Sequence, residues 1–65
     1  MHMQDDLSAA RLAALRLRKR SGFENLATML LRNIDLQRKW PKDRDFKAAG
    51  ARLGRAIERR AGEQR

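Results

Sequence analysis

Residues 22–40 read GFENLATMLLRNIDLQRKW, and this segment carries the strongest structural signal in the chain. It follows Ser21, and Glu24 stands three residues after that serine, the spacing of a capping box in which each side chain bonds the other's backbone N–H. The segment stops before Pro41, which has no N–H and restricts the conformation of the residue before it. We therefore predict one helix, Gly22–Trp40.

The apolar residues of this helix occupy two adjoining faces. At about 100° per residue the two faces together cover roughly 220° of the circumference, whereas a helix packed on one core needs about 100°. The first face consists of Phe23, Leu26, Ala27, Leu30, Leu31 and Ile34, and the second of Met29, Leu36 and Trp40. We expect the helix to be covered on two sides.

The composition predicts an all-α protein forming a single small domain, residues 1–65. Ala, Leu, Arg, Glu, Gln and Lys dominate, Val and Tyr are absent, and Thr and Pro each occur once. Such a composition favours helices over strands. A chain of 65 residues is also in the size range where one hydrophobic core is barely sufficient for stability. We therefore expect a homodimer, in which a second copy covers part of the apolar surface.

Helix one is predicted from about Asp6 to Lys19. Acidic residues stand at its start and basic residues at its end, the order that the helix dipole favours. Leu15–Arg18 alternates in polarity, which leaves a short strand as an alternative, as in a ribbon-helix-helix DNA-binding dimer, although the following helix is too long for that fold. Residues 1–4 are expected to be disordered, and residues 1–3 resemble the remnant of an expression tag.

Trp40–Asp43 is the predicted turn, with Asp43 as N-cap, and helix three follows from about Arg44 to Arg60. A connection this short predicts an antiparallel hairpin of helices two and three. Helix one would pack on this hairpin or be swapped between two chains of a dimer. Gly62 is expected to end helix three and residues 62–65 to be disordered. The apolar stripe of helix three is Phe46, Ala49, Gly50, Leu53 and Ile57.

Opposite that stripe, helix three carries an arginine face in which few acids are interspersed. Its members are Arg44, Arg52, Arg55 and Arg59, and a second basic cluster at the end of helix one consists of Arg16, Arg18, Lys19 and Arg20. The chain has 16 basic and 8 acidic residues, a formal net charge of +8. Arginine forks match phosphate oxygens in pairs. We predict a nucleic-acid-binding accessory or regulatory protein that contacts phosphates of DNA or RNA through these residues; the alternative is that they form a solvated helix face.

A protein–protein adaptor is the alternative function, in which an apolar seam grips an acidic partner protein. That seam would consist of Met29, Leu36 and Trp40, with Leu12 and Leu15. Adsorption of helix one to an anionic membrane surface is a third hypothesis.

The predicted interface with a second copy or a partner comprises Phe23, Leu26, Met29, Leu30, Asn33, Leu36 and Trp40. Asn33 is interpreted as a polar residue at the edge of this interface, or else as a buried residue that pairs with its symmetry mate. Trp40 is interpreted as a core or interface anchor rather than a base-stacking platform, because its helical neighbours are apolar.

No catalytic constellation is visible, so we do not expect an enzyme. The sequence has no cysteine and no glycine-rich phosphate loop, and its single histidine has no metal-ligating neighbours, so neither a cofactor nor a metal is expected. The lack of cysteine fits a reducing compartment. No apolar run approaches the roughly 18 residues of a membrane span. We predict a cytoplasmic protein without a transmembrane segment.

Overall fold

A computed structural model describes residues 6–63, which form three α-helices and, over that range, no strand. The helices are α1 (Asp6–Leu17), α2 (Glu24–Lys39) and α3 (Arg44–Glu63). α2 packs against α1 on one side and α3 on the other, whereas within the described range no Cα atom of α1 lies within 8 Å of one in α3. The predicted all-α fold of three helices is confirmed. The strand alternative is wrong, because residues 15–17 belong to α1.

The connection between α1 and α2 differs from the prediction at both of its ends. α1 stops at Leu17, and residues 18–22 form turns and a bend. Gly22 has a φ of 90°, a left-handed conformation that a side chain would disfavour. The Glu24 carboxylate accepts a hydrogen bond from the Gly22 N–H at 2.9 Å, but no side chain caps the helix. The predicted capping box therefore does not form, because the carboxylate bonds the N–H of Gly22 instead of that of Ser21, and Ser21 does not cap α2.

The connection between α2 and α3 agrees better with the prediction. The Asp43 carboxylate oxygen Oδ1 accepts hydrogen bonds from the backbone N–H groups of Asp45 at 2.8 Å and Phe46 at 3.2 Å. Asp43 is thus the N-cap of α3, as expected. The predicted stop at Gly62 is wrong, since α3 continues to Glu63 with that glycine in helical conformation. The predicted disorder of residues 1–4, 64 and 65 lies outside the described residues.

The buried core is small and is centred on α2. Its apolar members are Ala14, Phe23, Ala27 and Ile34. Phe23 closes the core at the start of α2, and the guanidinium of Arg20 lies over its ring at 4.8 Å from the centroid. No side chain of α3 is fully buried. α2 therefore supplies most of the core. α3 packs against one side of α2 only.

A polar contact joins α2 to α3. Asn33 is only 5% exposed, and its Nδ2 donates a hydrogen bond of 2.8 Å to the backbone carbonyl of Phe46. Gln37 Nε2 donates to Asn33 Oδ1 at 2.6 Å. A Cβ atom on Gly50 would lie 2.6 Å from each of these last two atoms, so a larger residue there would force the Asn33 and Gln37 side chains to shift. In the structure Asn33 bonds within its own chain, which is not the pairing with a symmetry mate considered above.

Candidate nucleic-acid interface

The arginine face of α3 lies on the side of that helix that is turned away from α2. Its four members, Arg44, Arg52, Arg55 and Arg59, are all exposed. Residues of the opposite stripe, such as Gly50 and Leu53, are partly covered. From the first to the last arginine the face extends roughly 22 Å along the axis, at about 1.5 Å per residue. Sequence periodicity alone therefore places these four side chains correctly on the surface.

The four guanidinium groups have no partners among residues 6–63. None of them takes part in an ion pair or a side-chain hydrogen bond within that range. The acids nearest to this face in the helical projection are exposed at its flanks: Asp45, Glu58 and Glu63. The positive charge of the face is therefore not neutralised locally and is available to a polyanion.

The second basic cluster lies at the end of α1 and in the turn that follows. Arg16 is in the last turn of α1, and all four members, including Arg18, Lys19 and Arg20, are exposed. Arg16 belongs to α1, no Cα atom of which lies within 8 Å of one in α3 over residues 6–63, whereas Arg18, Lys19 and Arg20 lie in the turn that leads to α2.

The predicted interface residues separate into two groups. Phe23 and Asn33 are buried inside the chain, so they are not available to a partner in this conformation. Leu26, Leu30 and Leu36 are half-buried, while Met29 is 53% and Trp40 is 48% exposed. Burial of Phe23 and Asn33 depends on the turn before α2 and on α3, which helical periodicity does not describe.

Two residues of α2 and the residue directly after it form an apolar line, here called the α2 seam: Met29, Leu36 and Trp40. The Trp40 ring packs against Phe46 with 6.0 Å between centroids and 46° between planes. The ammonium group of Lys39 lies 4.8 Å from the Trp40 ring centroid. Trp40 is therefore neither a core residue nor a free side chain. Its ring is held at the α2–α3 turn with about half of the residue open to solvent.

Leu12 and Leu15 do not join the α2 seam. Arg38 donates a hydrogen bond of 2.9 Å to the Ser8 hydroxyl, which places α1 on the Arg38 side of α2. At about 100° per residue, Arg38 and Met29 lie on opposite sides of α2. The two leucines instead line clefts with basic residues of α1, and Leu12 is 51% exposed. The five-residue seam expected from the sequence is thus two separate patches.

The sequence did not suggest an apolar groove that runs between α1 and α3 with α2 as its floor. Its volume is about 340 Å³, and no charged side chain of residues 7–63 lines it. The lining residues are Ala10, Ala13, Ala14, Leu17, Leu30, Gly54 and Ile57. The sequence feature that could have indicated it is Gly54, a glycine inside a helix; in the structure a Cβ atom there would meet nothing within 4 Å.

Among residues 6–63 there is no group of three or more His, Cys, Asp or Glu side chains that could hold a metal ion. Over the same range no helix combines the length and the apolar character required to cross a bilayer. Comparison of the chain with protein-family models, with curated proteins and with solved structures finds no match.

Proposed function

We propose that this protein is a nucleic-acid-binding accessory or regulatory protein that holds phosphate groups on the arginine face of α3. The observation that carries the proposal is a row of four exposed guanidinium groups without partners among the described residues. The row belongs to a chain of net charge +8, which attracts polyanions over a Debye length of about 8 Å at physiological salt. Contacts of this kind position a backbone and carry no sequence information.

An antiparallel α2–α3 hairpin would extend this surface. The four-residue connection Trp40–Asp43 and the hydrogen bond from Asn33 to Phe46 support that arrangement. In such a hairpin the C-terminal half of α3 returns toward the start of α2, the end of the molecule at which Arg18 and Arg20 lie. The second basic cluster would then add phosphate contacts at one end of the arginine face.

The salt dependence of binding tests the proposal. Three or four phosphate contacts in each chain predict that log K for duplex DNA falls against log salt with a slope of about −3 to −4 per chain, or about −5 to −7 for a dimer. Replacing Arg52, Arg55 and Arg59 together by Gln should flatten the slope and weaken binding to every sequence alike. The helix content measured by circular dichroism should stay the same, because these side chains face away from α2.

A charge-matched variant serves as the control for this experiment. Replacing Arg16, Arg18 and Lys19 by Gln removes the same three charges from the other basic cluster. If the α3 variant keeps the full salt slope and the control variant loses binding, the phosphate-binding site lies at the end of α1 and not on α3. If neither duplex nor single-stranded DNA binds at about 50 mM salt, where phosphate contacts are strong, the proposed function is contradicted as a whole.

We also propose that the protein is a homodimer whose second copy occupies the groove between α1 and α3. The groove is lined without charge by the residues described, on a chain that is otherwise strongly basic, so an apolar surface suits it better than a polyanion does. Gly54 leaves room there for close approach of another helix. Exchange of α1 between chains is not required, because α1 already packs on α2 of its own chain.

An adaptor that binds an acidic partner protein is the second candidate function. The observation that favours it is the α2 seam, in which Met29 and Trp40 remain about half exposed. Exposed apolar lines on a helix commonly mark contacts with other macromolecules. The fluorescence experiment described below discriminates this candidate from nucleic-acid binding.

A further inference from the structure

The α2 seam is an apolar surface with a basic border. Arg32 and Lys39 are neighbours of Leu36 at i−4 and i+3 on the helix surface, and both are exposed. Lys39 and Lys42 also line a cleft of about 440 Å³ beside Trp40. Any partner that covers the seam must therefore pack against its apolar surface and also complement several positive charges.

This border disfavours a second copy of the chain as the occupant. A symmetric contact through the seam would bring Arg32 and Lys39 toward their own counterparts, and like charges in contact are costly. The acid in the Trp40 cleft, Asp43, already accepts two backbone hydrogen bonds as the N-cap of α3. Asp35 lies about 100° around the helix from Leu36, beyond the two basic residues. The charge pattern thus points to an anionic occupant.

Trp40 has the geometry of a stacking surface. Its ring is held against Phe46, so little additional ordering is needed when a second planar group packs on it. The nearby ammonium group of Lys39 sits on a flexible side chain, which can move from the ring to a phosphate. An aromatic ring beside basic side chains is the combination that binds the unpaired bases and the backbone of a single strand.

The α2 seam and the arginine face lie next to each other around the helix pair. Gly50 lies on the side of α3 that meets α2. Around the axis of α3, Gly54 lies about 40° from Gly50 on the side of the groove, which it lines. On the other side, toward the seam, Ala56 lies about 120° from Gly50, and Arg52 lies roughly 40° beyond Ala56. A nucleic-acid strand that extends from the arginine face to the α2 seam would therefore pass over the small side chain of Ala56. The acids of that flank stand at the two ends of α3: Asp45 and Glu63.

We propose that the α2 seam is a second contact site for nucleic acid, at which Trp40 stacks on an unpaired base while Arg32, Lys39 and Lys42 hold its phosphates. The protein then prefers single-stranded nucleic acid to a duplex, whose bases are already stacked on one another. This inference rests on the proposed phosphate-binding role of α3 and names the form of nucleic acid that the surface accepts.

The single tryptophan makes a direct test possible. Because the chain has one Trp and no Tyr, its intrinsic tryptophan fluorescence reports on Trp40 alone. The full chain is titrated with oligo(dT) of about 20 nucleotides, long enough for a typical binding site, and with a duplex of the same length. We expect strong quenching by the single strand and little by the duplex. Poly-L-glutamate is the control for charge and should not quench.

Affinity is measured separately by the anisotropy of an end-labelled oligonucleotide, which does not depend on tryptophan. Trp40→Ala should weaken binding of the single strand roughly 5- to 100-fold, the loss typical of one stacked base, and leave duplex binding within about twofold. Trp40→Phe, which keeps a ring and the packing on Phe46, should retain most of the affinity. Leu12→Ala removes an equally exposed apolar side chain from α1 and should change neither affinity.

Several outcomes would overturn the inference. Tight binding of oligo(dT) without quenching would mean that no base reaches Trp40. If Trp40→Ala weakens the binding of the single strand and of the duplex equally, with the helix content unchanged, Trp40 contributes to nucleic-acid binding in general and not by stacking on an unpaired base. Quenching by poly-L-glutamate would favour the adaptor function, and loss of a dimer in Trp40→Ala would make the seam a contact between copies. Absence of binding to both oligonucleotides would instead reject the proposed function itself.

Discussion

Two glycines inside α3 have different roles at the scale of single residues. A Cβ at Gly50 would collide with the Asn33 and Gln37 side chains, whereas one at Gly54 would meet nothing. Gly50→Ala should displace the Asn33 amide from the Phe46 carbonyl and leave a buried polar group unsatisfied, which costs about 1–3 kcal/mol. The gain in helix propensity, up to about 1 kcal/mol, offsets only part of that. Urea unfolding at low micromolar concentration should show a net loss of up to about 2 kcal/mol for Gly50→Ala.

Gly62→Ala is the matched control, because a Cβ atom there would also meet nothing within 4 Å and the residue lies outside the groove lining; it should raise the free energy of unfolding by up to about 1 kcal/mol. A double-mutant cycle then locates the cause of the loss at Gly50. In an Asn33→Ala background the collision with Asn33 is removed, so Gly50→Ala should cost much less there. An undiminished cost in that background would show that the contact with Asn33 is not responsible.

At the scale of the helix, the start of α3 depends on Asp43. Its carboxylate accepts the N–H groups of Asp45 and Phe46, which otherwise have no acceptor within the helix. Asp43→Ala should therefore lower the stability of the protein by about 1 kcal/mol, and Asp43→Asn should recover most of the loss. Thermal unfolding followed by circular dichroism measures both. Asp35→Ala removes an exposed acid from the middle of α2 and is the control; an equal loss there would argue against the cap.

For the whole molecule, the groove between α1 and α3 predicts the state of assembly. The chain of 7.5 kDa should sediment as a species of twice that mass at micromolar concentration. Ala13 is exposed and lines the groove, so Ala13→Arg should place a charge in the contact and give monomers. Ala9→Arg adds the same charge at an exposed position of α1 outside the groove lining and should leave the dimer intact. Monomers in the unmodified protein, or equal effects of the two variants, would contradict the proposed contact.

The sequence alone was enough to predict the three helices, the cap at Asp43 and the arginine face of α3. Each of these depends on residues within one or two helical turns of each other. The cap needs an oxygen next to the first N–H groups of the helix, and the face follows from the advance of about 100° per residue. Local spacing therefore specifies them whatever the rest of the chain does. The boundaries were less accurate, since Gly62 does not end α3 and Ser21 does not cap α2.

Only the tertiary structure decided which side of α2 each neighbouring helix covers. The hydrogen bond from Arg38 to Ser8 holds α1 away from the α2 seam, and the one from Asn33 to Phe46 turns a predicted interface residue inward. Such contacts join residues distant in the chain, and helical periodicity shows which side chains share a face without showing what packs on it. For the same physical reason the close approach of Asn33 and Gln37 to Gly50, and the groove beside Gly54, became visible only when the helices were packed together.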